Sequence, residues 1–247
     1  MLDSKCDDDI PTATATVFAA YPPLANTIEY EAIPELLFVD MQQENEEKVA
    51  AAVEKLARLI HTSNANWKVN ADQALSLGAI AIILLLMRKW HYNKPIQLKG
   101  LCGLVLLTYY NPRSTAAEVS IIKSGGIETI MVAMKSFPDD YGIQNKGCLA
   151  IGNVFYDTNP TIDEAMTRFV HKLDGIGLVV PVMKKFQNNF LVQQNGCHVL
   201  EQLSKKQVLR DALKKGGALS AVSEATEKHN GNNLQSAATA FFKNMFN

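Results

Sequence analysis

The chain of 247 residues has almost no net charge, with 24 Lys and Arg against 25 Asp and Glu. A balance near zero gives the whole protein no electrostatic bias toward nucleic acid. It also lacks the short signatures of common catalytic centres. Gly125-Gly126 has none of the context of a phosphate loop, and there is neither a GxSxG elbow nor an HExxH pair. Cysteines are few: Cys6, Cys102, Cys148 and Cys197. Their wide spacing fits neither a CxxC metal site nor a dense disulfide framework, so thiols in a reducing compartment are expected. Five histidines, His61, His91, His171, His198 and His229, are scattered. Cys197 and His198 are adjacent but point about 100° apart on a helix, which makes them poor joint ligands for one metal. Long apolar runs are missing too. Ala79 to Met87 is about half of the ~20 residues a membrane span needs and reads as a buried helix. The start, MLDSKCDDDI, is acidic where a secretory signal is basic. No catalytic residue, cofactor, metal ion or membrane association is expected, and a cytoplasmic location, with the nucleus as a second place, follows from the same features.

What is present is a repeat. One phrase reads IQLKGLCGLVLL from Ile96, IQNKGCLAIGNV from Ile143, VQQNGCHVLEQL from Val192 and LQSAATAFFKNM from Leu234. Its small residues are Gly100, Gly147, Gly196 and Ala238, and a degraded copy is centred on Ala52. The steps between these five residues are 48, 47, 49 and 42. Such a period is the length of one unit in an all-helical solenoid, whose stacked units make long surfaces rather than pockets. A second marker is a turn before an apolar run, at residues 79, 126, 175 and 217. Each lies 21 residues before the next small residue, which predicts a helical pair of constant length. Asn111-Pro112 and Asn159-Pro160 break the chain between units, and Thr115-x-x-Glu118 and Thr161-x-x-Glu164 read as capping boxes. A glycine in mid-helix costs about 0.5–1 kcal/mol against alanine, so its recurrence implies a close helix approach. Three of the cysteines follow the small residue by one or two positions, a packed place where Cys acts as a small apolar side chain.

The segment GGIETIMVAMKSFPDDYGIQNKGCLAIGNV, Gly125 to Val154, resembles the armadillo repeat family. That family closes one helix at Gly-Gly-Ile, runs a second, and opens a third with Val-Gln-x-x-Ala-x-x-Ala-Leu-x-Asn-Leu. The resemblance runs from about Ile28 onward and is strongest over Gly125–Val154 and Gly175–Leu203. It implies an all-α, right-handed α-α superhelix of about five repeats, the first and last incomplete. Residues 1–26 are then an acidic, mobile tail and residues 27–247 the helical repeat domain.

In armadillo proteins the third helices line a concave groove. The resemblance therefore implies groove positions at Arg58; Leu106 and Tyr109; Asn153 and Tyr156; His198, Gln202 and Lys205; and Asn244. An Asn in such a row can engage both the N–H and the C=O of a bound backbone, and Tyr offers apolar area with a polar tip. The expectation is a non-catalytic protein–protein interaction module, a scaffold or adaptor, holding a protein or peptide segment along that groove. An acidic or amphipathic segment suits the basic stretch 165–215, which has nine Lys and Arg against three acids. Residues 1–47, with eleven acids and one Lys, form the opposite pole. The alternative is an RNA-binding helical-repeat protein, which needs a basic face and a repeated side-chain code. The oligomeric state cannot be read from these patterns.

Overall fold

A computed structural model describes residues 44–109, 115–156 and 159–247. These form thirteen α-helices and one 3-10 turn, with no strand among the described residues. The expected tail, 1–26, and the first residues of the expected repeat domain, 27–43, lie outside them. The chain divides into two compact units, Met1–Pro112 and Arg113–Asn247. The first holds α1 (Glu46–Leu59), α2 (Trp67–Ser76), α3 (Ala79–Lys89) and α4 (Lys94–Tyr109). The second holds α5 (Ala116–Lys123), α6 (Gly126–Ser136), α7 (Tyr141–Val154), α8 (Pro160–His171), α9 (Gly175–Lys185) and α10 (Phe190–Ser204). It continues through the 3-10 turn Gln207–Leu209 into α11 (Arg210–Lys215), α12 (Ala218–Lys228) and α13 (Asn232–Phe246). No single described helix is long and apolar enough to cross a membrane, and α2 and α3 reach that composition only as a pair bent by 73°.

Each repeat is built the same way. A first helix ends in one residue of left-handed backbone, at Gly78, Gly125, Asp174 and Gly217, with φ of 79°, 68°, 55° and 79°. Glycine takes this region without a Cβ penalty, and aspartate is among the few other residues that tolerate it. The turn marker in the third repeat is thus Asp174, not Gly175. An eleven-residue second helix follows in every case, α3, α6, α9 and α12. Counting from the left-handed residue to the small residue gives 22, 22, 22 and 21. The expected constant interval of 21 is therefore corrected. The helices keep their length, and the last repeat loses one residue from the turn before α13.

The recurrent glutamine has a structural task. Gln97 Nε2 donates to the Met87 and Trp90 carbonyls at 2.8 and 2.9 Å. Gln144 does the same for Met134 and Phe137 at 2.7 and 3.0 Å, and Gln193 for Met183 and Phe186 at 2.7 and 3.0 Å. Gln235 reaches Thr226 and His229 at 3.3 and 3.1 Å. The last carbonyls of a helix have no partner within it, so each third helix closes the C-terminus of the second helix before it. The third helices start at short polar caps. The side chains of Asn93, Asp140 and Asn189 accept from the backbone N–H of Ile96, Ile143 and Val192.

The small residues sit against methionines. A Cβ on Gly100 would lie 2.7 Å from Met87 Cγ and Sδ, and one on Gly147 2.5 Å from Met134 Cγ and Sδ. Gly196 meets Met183 Cγ at 2.5 Å in the same way. In the last repeat Thr226 takes the methionine's place in the second helix and Ala238 takes the glycine's. A shorter side chain on one helix accompanies a larger one on the other, as close packing requires. The capping boxes are corrected: Thr115 makes no side-chain cap, and α8 is capped by Asn159, whose side chain accepts from Thr161 N ahead of Pro160. Cys148 and Cys197 are buried free thiols. Cys102 is buried too but disulfide-bonded, which corrects the expected thiol.

Within each unit the third helices stack on one another. In the first unit α4 packs on α1 and α3; in the second α10 packs on α7 and α13, while α9 meets α12. This stacking brings groove positions from successive repeats side by side.

Candidate third-helix binding face

In the first unit, Arg58 is exposed at the end of α1, and its Nη2 is 2.6 Å from Glu54 Oε1. Lys99 of α4 approaches the same carboxylate oxygen at 3.7 Å. Leu106 is only 7% exposed, so it belongs to the packed side of α4 and offers a partner little surface. Tyr109, at the end of α4, is half-buried.

In the second unit six expected positions come together on α7, α10 and α13. Asn153, near the C-terminus of α7, is half-buried, and Tyr156, two residues past its end, is 65% exposed. The His198 ring of α10 packs where a side chain on Gly152 would otherwise stand. Its centroid is 6.2 Å from that of Tyr156. Gln202, one turn on, is 1% exposed, so its amide does not face solvent. Its Nε2 donates to Glu201 Oε2 and lies 3.4 Å from His198 Nδ1, while its Oε1 accepts from Lys205 Nζ at 2.6 Å. Lys205 Nζ is also 3.4 Å from Glu201 Oε1 and stands 5.5 Å from the centre of the Tyr156 ring. Asn244 of α13 donates through Nδ2 to Ser204 Oγ at 3.0 Å. One further rung was not expected: Asn195 Nδ2 of α10 donates to Asn145 Oδ1 of α7 at 2.5 Å, and both residues are buried. The signal for it was present, since Asn145 and Asn195 flank Gly147 and Gly196, but the two residues are 50 apart and sit at different offsets from their glycines.

Electrostatics follow from burial. The His198 imidazole is pushed down to about 4, first by desolvation and then by the Lys205 charge, so it is neutral at pH 7. Burial raises the Glu201 carboxyl, while Lys205 beside it pulls the other way. Glu201 was not among the expected groove residues, yet it links His198, Gln202 and Lys205. Among the described residues no cluster of His, Cys, Asp or Glu could hold a metal ion. A separate cavity of about 150 Å³ lies between α5, α6 and α8, lined by Ile122, Ile127, Ala165 and Leu173, with Glu128 and Arg168 among its polar lining. Those two side chains pair at 2.5 Å.

An engineered protein of known structure superposes on 88% of this chain and 96% of its own, with a TM-score of 0.53 at 14% identity. That likeness extends to the fold alone, and the three-helix unit with its left-handed turn and stacked third helices decides which fold it is. The fold is an armadillo-like helical repeat. A designed armadillo repeat protein in complex with the peptide (KR)4 is also similar, covering 89% of this chain and all of its own at 11% identity and a TM-score of 0.49. Among curated proteins, "Protein aardvark" of Dictyostelium discoideum is 34% identical over 94 residues. That stretch is 38% of this chain and 12% of the relative's length. No family model matches the chain. Stacked repeats of this kind present extended surfaces rather than closed pockets.

Proposed function

We propose that this armadillo-like chain is a non-catalytic scaffold or adaptor, and that the face formed by α7, α10 and α13 holds an acidic or amphipathic partner segment. The observation that supports this most directly is the arrangement at Tyr156 and Lys205. An exposed aromatic ring lies beneath the ammonium of a partly exposed lysine, both carried by stacked helices. Aromatic and cationic side chains on a preorganised surface suit a segment that offers apolar groups and carboxylates. Asn153 and Asn244 flank this pair from the neighbouring helices, at the same helical phase. Gln202 contributes by positioning Lys205 rather than by touching a partner, because both ends of its amide are engaged.

Peptide display against the full chain tests the reading. Selected ligands should be acidic with interspersed apolar residues, and their affinity should fall with added salt, which screens exposed charges. Tyr156→Ala should weaken them by about tenfold or more, the size of an interface anchor. Ligands that bind Tyr156→Ala as well as the natural sequence would end the assignment. Tight RNA retention in a filter assay, steeply dependent on salt, would move the function to nucleic acid.

A further inference from the structure

The three groups around Lys205 are those that would hold a cation from elsewhere. Tyr156 presents the face of its ring, Gln202 its carbonyl oxygen at 2.6 Å, and Glu201 a carboxylate oxygen at 3.4 Å. The walls come from two helical layers: Tyr156 follows α7, whereas Glu201 and Gln202 belong to α10. Glu201 is 8% exposed and Gln202 1%, so the two acceptors are themselves buried beneath a ring and an ammonium that reach solvent. A ring face, an amide oxygen and a buried carboxylate converging on one point favour an ammonium or guanidinium. Here the protein's own Lys205, which caps the end of α10 one turn after Glu201, fills the place.

We infer that Lys205 is a specificity-determining residue that occupies an intrinsic cation pocket made by Tyr156, Glu201 and Gln202, and so closes this face to basic peptide segments. The inference rests on the proposed binding role of the same face and states its selectivity. With Lys205 in place, a basic segment meets an ammonium instead of the carboxylate behind it. That repulsion acts against the wrong partner while leaving acidic partners welcome, which is how specificity is commonly obtained. Side-chain exposure of 37% leaves the Lys205 ammonium able to meet a partner carboxylate from the solvent side.

The two roles are separable by experiment. An oligolysine peptide is titrated into the full-length protein and into Lys205→Ala, with the Tyr156 ring resonances followed by NMR and folding checked by the thermal midpoint. Lys205→Ser serves as a second opening variant. The opened proteins should bind at least about threefold more tightly than the natural sequence, the scale of a cation–π contact at an exposed ring, with saturable shifts at Tyr156. Adding Glu201→Gln to Lys205→Ala should abolish that gain. The inference is overturned if the natural sequence binds oligolysine as well as the variants do, if neither variant shifts the Tyr156 ring, or if the gain survives Glu201→Gln. Should display on the natural sequence yield no acidic ligand while Lys205→Ala still gains oligolysine, the pocket stands and the partner reading falls. The opposite pair of results removes the pocket and leaves the partner reading in place.

Discussion

Met134 lies over the backbone of Gly147, with Cγ and Sδ 2.5 Å from the place a Cβ would take. The same relationship recurs between Met87 and Gly100 and between Met183 and Gly196. The glycine in each of these three helices is therefore a seat for a methionine from the second helix. Its cost in helix propensity is offset by the contact area the methionine gains.

Gly147→Leu should therefore be among the more damaging single substitutions, since overpacking a tight contact costs ~1–3 kcal/mol or more. Gly147→Ala should cost less, because methionine is flexible and can give way. An exposed control such as Lys184→Ala should stay within ~0.5 kcal/mol. Urea midpoints at a constant slope would rank the three. Equal shifts for Gly147→Leu and Lys184→Ala would contradict the seat.

The glutamine bonds predict a ranking. Gln144→Leu and Gln193→Leu each remove two bonds to a helix end. The Phe137 and Phe186 carbonyls keep the Asp140 and Asn189 N–H as donors, while the Met134 and Met183 carbonyls lose the glutamine's, at ~1–3 kcal/mol for a buried group left unsatisfied. Gln235→Leu should cost less, because its two bonds are longer and the residue is half-buried. Thermal melts of the three variants would show this order, and a Gln235 variant as unstable as the other two would break it.

Cys148 and Cys197 are both pushed up to about 12 by burial. Thiolate reagents at pH 8 should label them only on unfolding, since the thiolate is the reactive form. The linkage sign follows from the raised values. Each thiol's contribution is fully present below its unfolded value of 9.0 and is lost as pH rises toward about 12. Rapid labelling of Cys148 in the native protein would show that the α7 packing is wrong.

His198 titrates in the other direction. Its value falls from 6.5 to about 4, so its contribution is present above pH 6.5 and is lost as pH drops toward 4. An NMR titration should place the imidazole well below a free histidine. Lys205→Ala should raise the value only in part, because burial is the larger of the two causes. Full recovery to 6.5 in that variant would make charge, not burial, the cause.

Local chemistry wrote the repeat into the chain. The period, the small residue, the turn marker and the apolar faces were all legible, because each depends on residues within a few positions of one another. Helical periodicity placed Cys148 and Cys197 inside for the same reason. The role of the repeated glutamine was not legible, although the residue itself was plain. Its partners are carbonyls ten and seven residues back, and only the turn between the helices brings them within reach.

The groove row shows where sequence reasoning stopped. Helical phase put Leu106 and Gln202 in line with Asn153 and Asn244, yet both are buried. Phase gives the direction in which a side chain leaves its own helix and says nothing of what the neighbouring helices lay over it. Nor could the sequence show that Glu201 would draw Gln202 and Lys205 inward, or that Tyr156 would stand over the ammonium. Residues 156 and 205 meet because α10 packs on α7. The sequence by itself determined the helical unit and its repetition. Tertiary structure decided which polar side chains are used up inside and which remain for a partner, because those contacts join residues some 50 positions apart that only stacking makes neighbours.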